Sequence, residues 1–129
     1  MMARAVGIGT LAAMGLGGCD PSARADAPTQ YSVIDRLRID DGLINILAQA
    51  RGPEAQASVD AYAECVIADY ALEQGFGFAR RIRTQVTKTG GNWRADAVYS
   101  ISKTLPDGLR TIDTEIAVQN CADNGIPTG

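Results

Sequence analysis

The stretch "RGPEAQASVDAYAECVIADYALEQG", residues 51–75, constrains the fold more than any other part of the chain. Gly52 and Pro53 open it, and proline suits the first turn of a helix because its missing N–H has no partner there anyway. Val59, Tyr62, Ala63, Val66 and Tyr70 then recur at helical spacing, while Asp60, Glu64 and Glu73 lie mostly elsewhere. Gly75 stops the run. Immediately afterwards the apolar period changes from that of a helix to two, the period of a half-buried strand. A helix that hands over directly to alternating strands predicts an α+β domain.

The strand side reads as a three-stranded meander. "FGFARRIRTQV" sets Phe76, Phe78, Ile82 and Val86 against Ala79, Arg81, Arg83 and Gln85. "TGGN" is a hairpin turn, and "WRADAVYSIS" follows with Ala95, Ala97, Tyr99 and Ile101 on one side. Trp93 and Tyr99 point to the apolar side, which places Trp93 at a core edge. "LPDG" is a second turn, with Pro106 presetting φ and Gly108 free to take a positive one. "LRTIDTEIAV" closes the sheet with Ile112, Ile116 and Val118 inward. The outer face then carries Arg81 and Arg83, Arg94 and Asp96, and Asp113 and Glu115, which cross-strand pairing favours.

Before the long helix, "SVIDRLRIDDGLINILAQARG" has Ser32 with Asp35 three residues on, a capping box with Asp in place of Glu. Val33, Ile34, Leu37, Leu43, Ile44 and Leu47 recur near helical spacing. Gly42 interrupts them, so one helix or two short ones fit, the second beginning after Asp40 or Asp41. The expected order is ααβββ, two helices packed on a three-stranded antiparallel meander.

The N-terminus sets the address. "MMARAVGIGTLAAMGLGG" has Arg4 as a short positive region and an apolar run to Gly18. That run is too short for a bilayer, which takes about 20 apolar residues, and it suits a secretory signal. Leu16-Gly17-Gly18-Cys19 then resembles the lipobox of bacterial lipoproteins. The resemblance implies cleavage before Cys19 and acylation of its sulfur, and several acyl chains anchor a protein stably. Asp20 follows, which in enteric bacteria retains such proteins at the inner membrane. The expected organisation is a signal peptide over 1–18, a lipidated cysteine and flexible leash over 19–30, and one domain over 31–129. The membrane, through the lipid on Cys19, is the first expected partner.

Composition narrows the rest. Without residues 1–18 the chain keeps eleven basic and fifteen acidic residues, a net charge of about −4. No basic face invites nucleic acid or anionic lipid. Histidine is absent from the whole sequence. That removes Ser-His-Asp and Cys-His catalysis and imidazole metal ligands together. No metal, catalytic constellation or cofactor is expected.

Four features remain as candidate sites. Cys65 and Cys121 are left as a pair in an oxidising compartment, where such pairs usually join. Closing that loop contributes roughly 4 kcal/mol in the chain-entropy account. Strand counting nevertheless puts Cys121 beside the "TGGN" tip and Cys65 mid-helix, so the bond requires the helix to cross the strands steeply or the sheet to bend; a catalytic thiol is the other use, with no His to activate it. Arg81, Arg83 and Arg94 form a possible anion-binding face, or a solvated face paired with Asp96, Asp113 and Glu115. Asp60 with Glu64 and Asp69 with Glu73 are i,i+4 carboxylate pairs, read as a calcium site, an acid–base pair or a solvated helix face. Trp93 and Tyr99 suit an interface anchor as well as a core edge.

The lipobox, leash and ααβββ order together resemble the small lipoprotein subunit of the outer-membrane β-barrel assembly machine. The resemblance rests on Leu16-Gly17-Gly18-Cys19 and element order, and it carries over no functional residues. The sequence therefore points to a lipid-anchored, non-enzymatic interaction module of the periplasm, contacting another envelope protein. A small anionic-ligand binder and a carboxylate-dependent hydrolase are the alternatives.

Overall fold

The structure, a computed structural model, describes residues 28–108 and 110–129. The signal segment, Leu16-Gly17-Gly18-Cys19, Asp20 and most of the leash lie outside the described residues. In chain order the elements are β1 (Gln30–Asp40), β2 (Leu43–Arg51), α1 (Ala55–Glu73), β3 (Phe78–Thr89), β4 (Asn92–Ser102), β5 (Thr111–Asp113) and α2 (Thr114–Asp123). The five strands form one antiparallel sheet in the order β1-β2-β4-β3-β5. The domain is α+β, as the patterning predicts. It has five strands rather than three, and its order is not ααβββ.

The largest correction concerns residues 32–52, which form a β-hairpin and not one or two helices. Asp41-Gly42 is the turn, a dipeptide that favours tight hairpins because Gly takes a positive φ. Gly42 has φ 69°, and its carbonyl accepts a hydrogen bond from Ile101 N at 2.8 Å. Beyond the turn the buried residues alternate strictly: Ile44, Ile46, Ala48 and Ala50 are inside. The apparent helical spacing arose because two bulges in β1, at Ile34 and Ile39, break its alternation.

The second correction concerns the last predicted strand. Only Thr111–Asp113 pair with β3. Asp113 then caps a helix, its side chain accepting a hydrogen bond from Ile116 N at 3.1 Å. Cys121 therefore lies on α2, which packs on α1, and not on a strand near the hairpin tip. The sulfurs of Cys65 and Cys121 are at bonding distance, 2.04 Å, with Cα atoms 6.0 Å apart. Neither a steeply crossing helix nor a bent sheet is needed to bring them together.

The core explains why α1 is secure. Val59, Tyr62, Ala63 and Val66 are fully buried, and so are Ile67, Ala68 and Ala71 on other flanks. Apolar residues surround the helix because the sheet covers one side and α2 another. Facing it, β2 and β4 contribute alanines at half of their buried positions on that side, with Ala48 opposite Ala95 and Ile46 opposite Ala97. These small side chains leave room for Tyr62 and Ile67, which satisfies close packing without voids. Tyr31 from β1 packs its ring 4.8 Å from that of Tyr62 and donates from its hydroxyl to Ser58 Oγ at 3.0 Å.

Strand β3 keeps its predicted faces only after a one-residue bulge; before it the faces are reversed, with Ala79 and Arg81 on the helix side. Arg81 pairs with Tyr99 and Arg83 with Val98, so Ile82 is an extra residue in a bulge. Ile82 is 54% exposed rather than inward. Val86 is half-exposed, and Phe78, opposite Ser102, alternates with buried Ala79 and faces away from the helices.

Candidate functional site

The bulge decides which arginines share a surface. Before Ile82, Arg81 is in register with buried Tyr99 and points to the helix side. After it, Arg83, in register with Val98, turns to the opposite face, where it approaches Asp96 at 3.7 Å. Arg94 is on that same outer face, donating from Nε to Gln49 Oε1 at 3.1 Å. Asn45 completes the outer polar ladder by donating to Asp96 Oδ1 at 2.7 Å. Arg81, Arg83 and Arg94 thus do not form one anion-binding surface. Asp113 caps α2, and neither it nor Glu115 forms an ion pair with these arginines among the described residues.

On the helix side Arg81 reaches two carboxylates one helical turn apart on α1. It lies 2.9 Å from Asp60 Oδ2 and 3.3 Å from Glu64 Oε1. The i,i+4 pair read from the sequence therefore clamps a guanidinium. Burial alone would lower the pKa of Arg81, but the Tyr99 phenol, Asp60 and Glu64 together carry it above its ordinary value. Burial pushes the Tyr99 hydroxyl far up, and the neighbouring Arg81 only partly offsets this. By geometry that hydroxyl has no hydrogen-bond partner among the described residues, and neither has the second oxygen of Asp60. Asp69 and Glu73, one turn further on, make no ion pair among the described residues. No group of side chains among the described residues could hold a metal ion.

Arg81 and Glu64 also form one wall of a cleft of about 500 Å³ between α1, α2 and β5. Arg110, Ile112, Ile116 and the Cys65–Cys121 pair also line it. Its size is within the range of ligand clefts, about 300–1,000 Å³, and it is open to solvent. Arg110 and Ile116 escaped the sequence reading, which placed both in a strand. The signal that would have found them is Asp113 followed by Thr114 and Glu115, a helix start inside an apparently alternating run. Trp93 packs at the core margin under Lys88, whose Nζ is 5.6 Å from the ring centre.

These features define a small α+β domain with one sheet face under two helices and the other carrying the Arg94–Gln49 and Asn45–Asp96 ladder. The chain belongs to the YNQ4 C-terminal domain family, whose sequence model matches residues 31–125. It is similar to a Paracoccus denitrificans protein, named an uncharacterized 26.9 kDa protein in the nqo8 5′ region, at 34% identity over 87 residues. The matched segment is 67% of this chain and 34% of that protein, so the chain spans about a third of that relative's length. No solved structure matches the chain.

Proposed function

We propose that the chain is a lipid-anchored, non-enzymatic interaction module of the bacterial envelope, facing the periplasm and engaging another envelope protein. The cysteine pair carries this reading. Cys65 and Cys121 sit at bonding distance, and such bonds persist in oxidising compartments such as the periplasm. Leu16-Gly17-Gly18-Cys19 supplies the lipid attachment, and residues 20–27 supply a small, polar, Pro-containing leash. Asp20 tilts the anchor to the inner membrane. The absence of histidine and the commitment of Asp60 and Glu64 to Arg81 leave little for acid–base or nucleophilic chemistry.

Replacing the anchor tests the address. Cys19→Ala is expected to move the protein from the membrane to the soluble fraction, and continued membrane association would refute lipidation. A cross-linked pull-down of the wild-type chain from solubilised membranes tests the module reading, which predicts one protein partner recovered near stoichiometry. The cleft beside Arg110 supports a second reading, a binder of small anions. Thermal melts that do not respond to anionic ligands would count against it.

A further inference from the structure

Among the described residues, β3 has a neighbour on its outer side only at Phe78–Arg80, where β5 pairs. From Arg81 onward that side of the backbone is open. The register with β4 runs unbroken from Arg83 to Thr89, so this length of edge is regular. The opposite edge of the sheet, β1, is interrupted by two bulges, a common device for blunting an edge. An open and regular edge presents unpaired N–H and C=O groups in the geometry another strand would need.

The side chains along it select what would pair. β3 carries Arg80, Arg81, Arg83 and Lys88 and no acidic residue, in a chain whose net charge is −3. Arg81 and Arg83 are matched by carboxylates, but among the described residues Arg80 bonds only the carbonyl of Asp107, at 3.1 Å. Neither Lys88 nor Arg110, which lies where β5 leaves β3, forms an ion pair among the described residues. Ile82 and Val86 add exposed apolar surface, at 54% and 39%. Two copies joined through β3 would set like charges opposite one another, which is unfavourable. A lipid surface would meet the charges but leave the backbone unpaired.

We propose that the outer edge of β3 from Arg83 to Thr89 takes an extended acidic segment of a partner protein as an added antiparallel strand, in line with β5. This rests on the interaction-module reading and names the partner's chemistry. One face of the incoming strand sets an acidic residue beside Arg83. Its other face sets an apolar residue beside Val86 and an acidic one beside Lys88.

The test uses the soluble Cys19→Ala chain and a blocked synthetic peptide, Thr-Glu-Thr-Val-Thr-Thr-Glu, read by binding and by backbone amide exchange. Antiparallel to β3, this peptide sets its glutamates beside Lys88 and Arg83 and its valine beside Val86. The expected result is saturable binding that weakens with salt, with slowed exchange confined to residues 83–89. Lys88→Glu is expected to weaken it at least about fivefold, as paired charges across an interface do. Lys88→Gln should fall between, with thermal melts showing both variants folded. The same peptide with lysine in place of both glutamates should not bind. Equal binding of both peptides, unchanged affinity in Lys88→Glu, or protection elsewhere would overturn the proposal. So would binding to vesicles containing phosphatidylglycerol that the peptide fails to displace. An envelope protein captured equally by wild type and Lys88→Glu would overturn the edge assignment and leave the module reading standing. Failure of both peptide binding and capture would overturn the module reading as well.

Discussion

Arg81 and Arg83 are separated by one residue in β3 but lie on opposite faces of the sheet, because Ile82 occupies a bulge between them. In a regular strand the two would share a face. The bulge assigns Arg81 to Asp60 and Glu64 on α1 and leaves Arg83 to Asp96 on the outer face. Deleting Ile82 would make Arg81 and Arg83 neighbours, restore plain alternation and keep every later residue of β3 on its present face. Thr84 and Val86 would stay in register with Ala97 and Ala95. The expected outcome is that cooperative urea unfolding is retained, and its loss would show that the fold needs the bulge itself.

The clamp around Arg81 gives a graded prediction. Arg81→Gln leaves Asp60 and Glu64 side by side without a cation. All three groups are partly exposed, with side-chain exposures of 35–42%, so solvent screens the effect. A loss of about 1 kcal/mol is expected in urea denaturation. Asp60→Asn should cost more than Glu64→Gln, because Asp60 makes the shorter contact, 2.9 against 3.3 Å. A reversed order would show that the two carboxylates are not ranked by this geometry.

The helix α2 depends on its covalent link. Only Thr114 and Cys121 are buried along it, and Ile116 is 59% exposed. Thr114 is held by its hydroxyl, which donates to Phe76 O at 3.0 Å. Replacing both Cys65 and Cys121 by serine should cost about 4 kcal/mol in the chain-entropy account. Amide exchange should show α2 opening before the sheet does. If α2 kept its protection without the sulfurs, its non-covalent packing would be stronger than its burial indicates.

Sequence patterning revealed some of this and concealed some, for identifiable physical reasons. Helix α1 was legible because Gly52-Pro53 and Gly75 bracket an unbroken run, and the "TGGN" hairpin because Gly90 and Gly91 both supply positive φ. The first hairpin was not, since bulges at Ile34 and Ile39 disguise a period of two as one near helical. Asp41-Gly42 was the competing signal, and turn chemistry outweighed apolar spacing. In the last segment the cap at Asp113 outweighed the alternation of Ile112, Ile116 and Val118. The Arg81 clamp was hidden twice over, by the bulge and by the convention that acidic pairs on a helix face water.

Tyr99 makes stability fall at high pH. Its hydroxyl is buried with no hydrogen-bond partner among the described residues, and burial raises its pKa above the ordinary 10.0. Tyr62 is shifted in the same direction, with Arg36 opposing. In the unfolded chain each phenol ionises near pH 10, while in the folded domain it stays protonated to higher pH. The unfolded state therefore holds fewer protons above that pH. The contribution is complete below about pH 10 and is lost as pH rises toward the folded values. Tyr99→Phe removes an unpartnered polar atom and should leave stability at pH 7 within about 1 kcal/mol of wild type. It should also flatten the alkaline limb of a plot of stability against pH. An unchanged limb would show that Tyr99 is not the titrating group.

The turn at Gly42 provides the sharpest check on the β1–β2 hairpin. Its φ of 69° lies in the left-handed region, where a Cβ costs roughly 1–2 kcal/mol. An added Cβ would also meet Ile101 O at 3.2 Å, and that carbonyl belongs to a strand with little room to yield. Gly42→Ala is therefore expected to destabilise by about 1–2 kcal/mol in urea denaturation. Had residues 32–52 been helical, the same substitution would stabilise, since Ala exceeds Gly by about 1 kcal/mol inside a helix. The sign of one measured difference thus separates a hairpin from a helix at the N-terminal end of the domain.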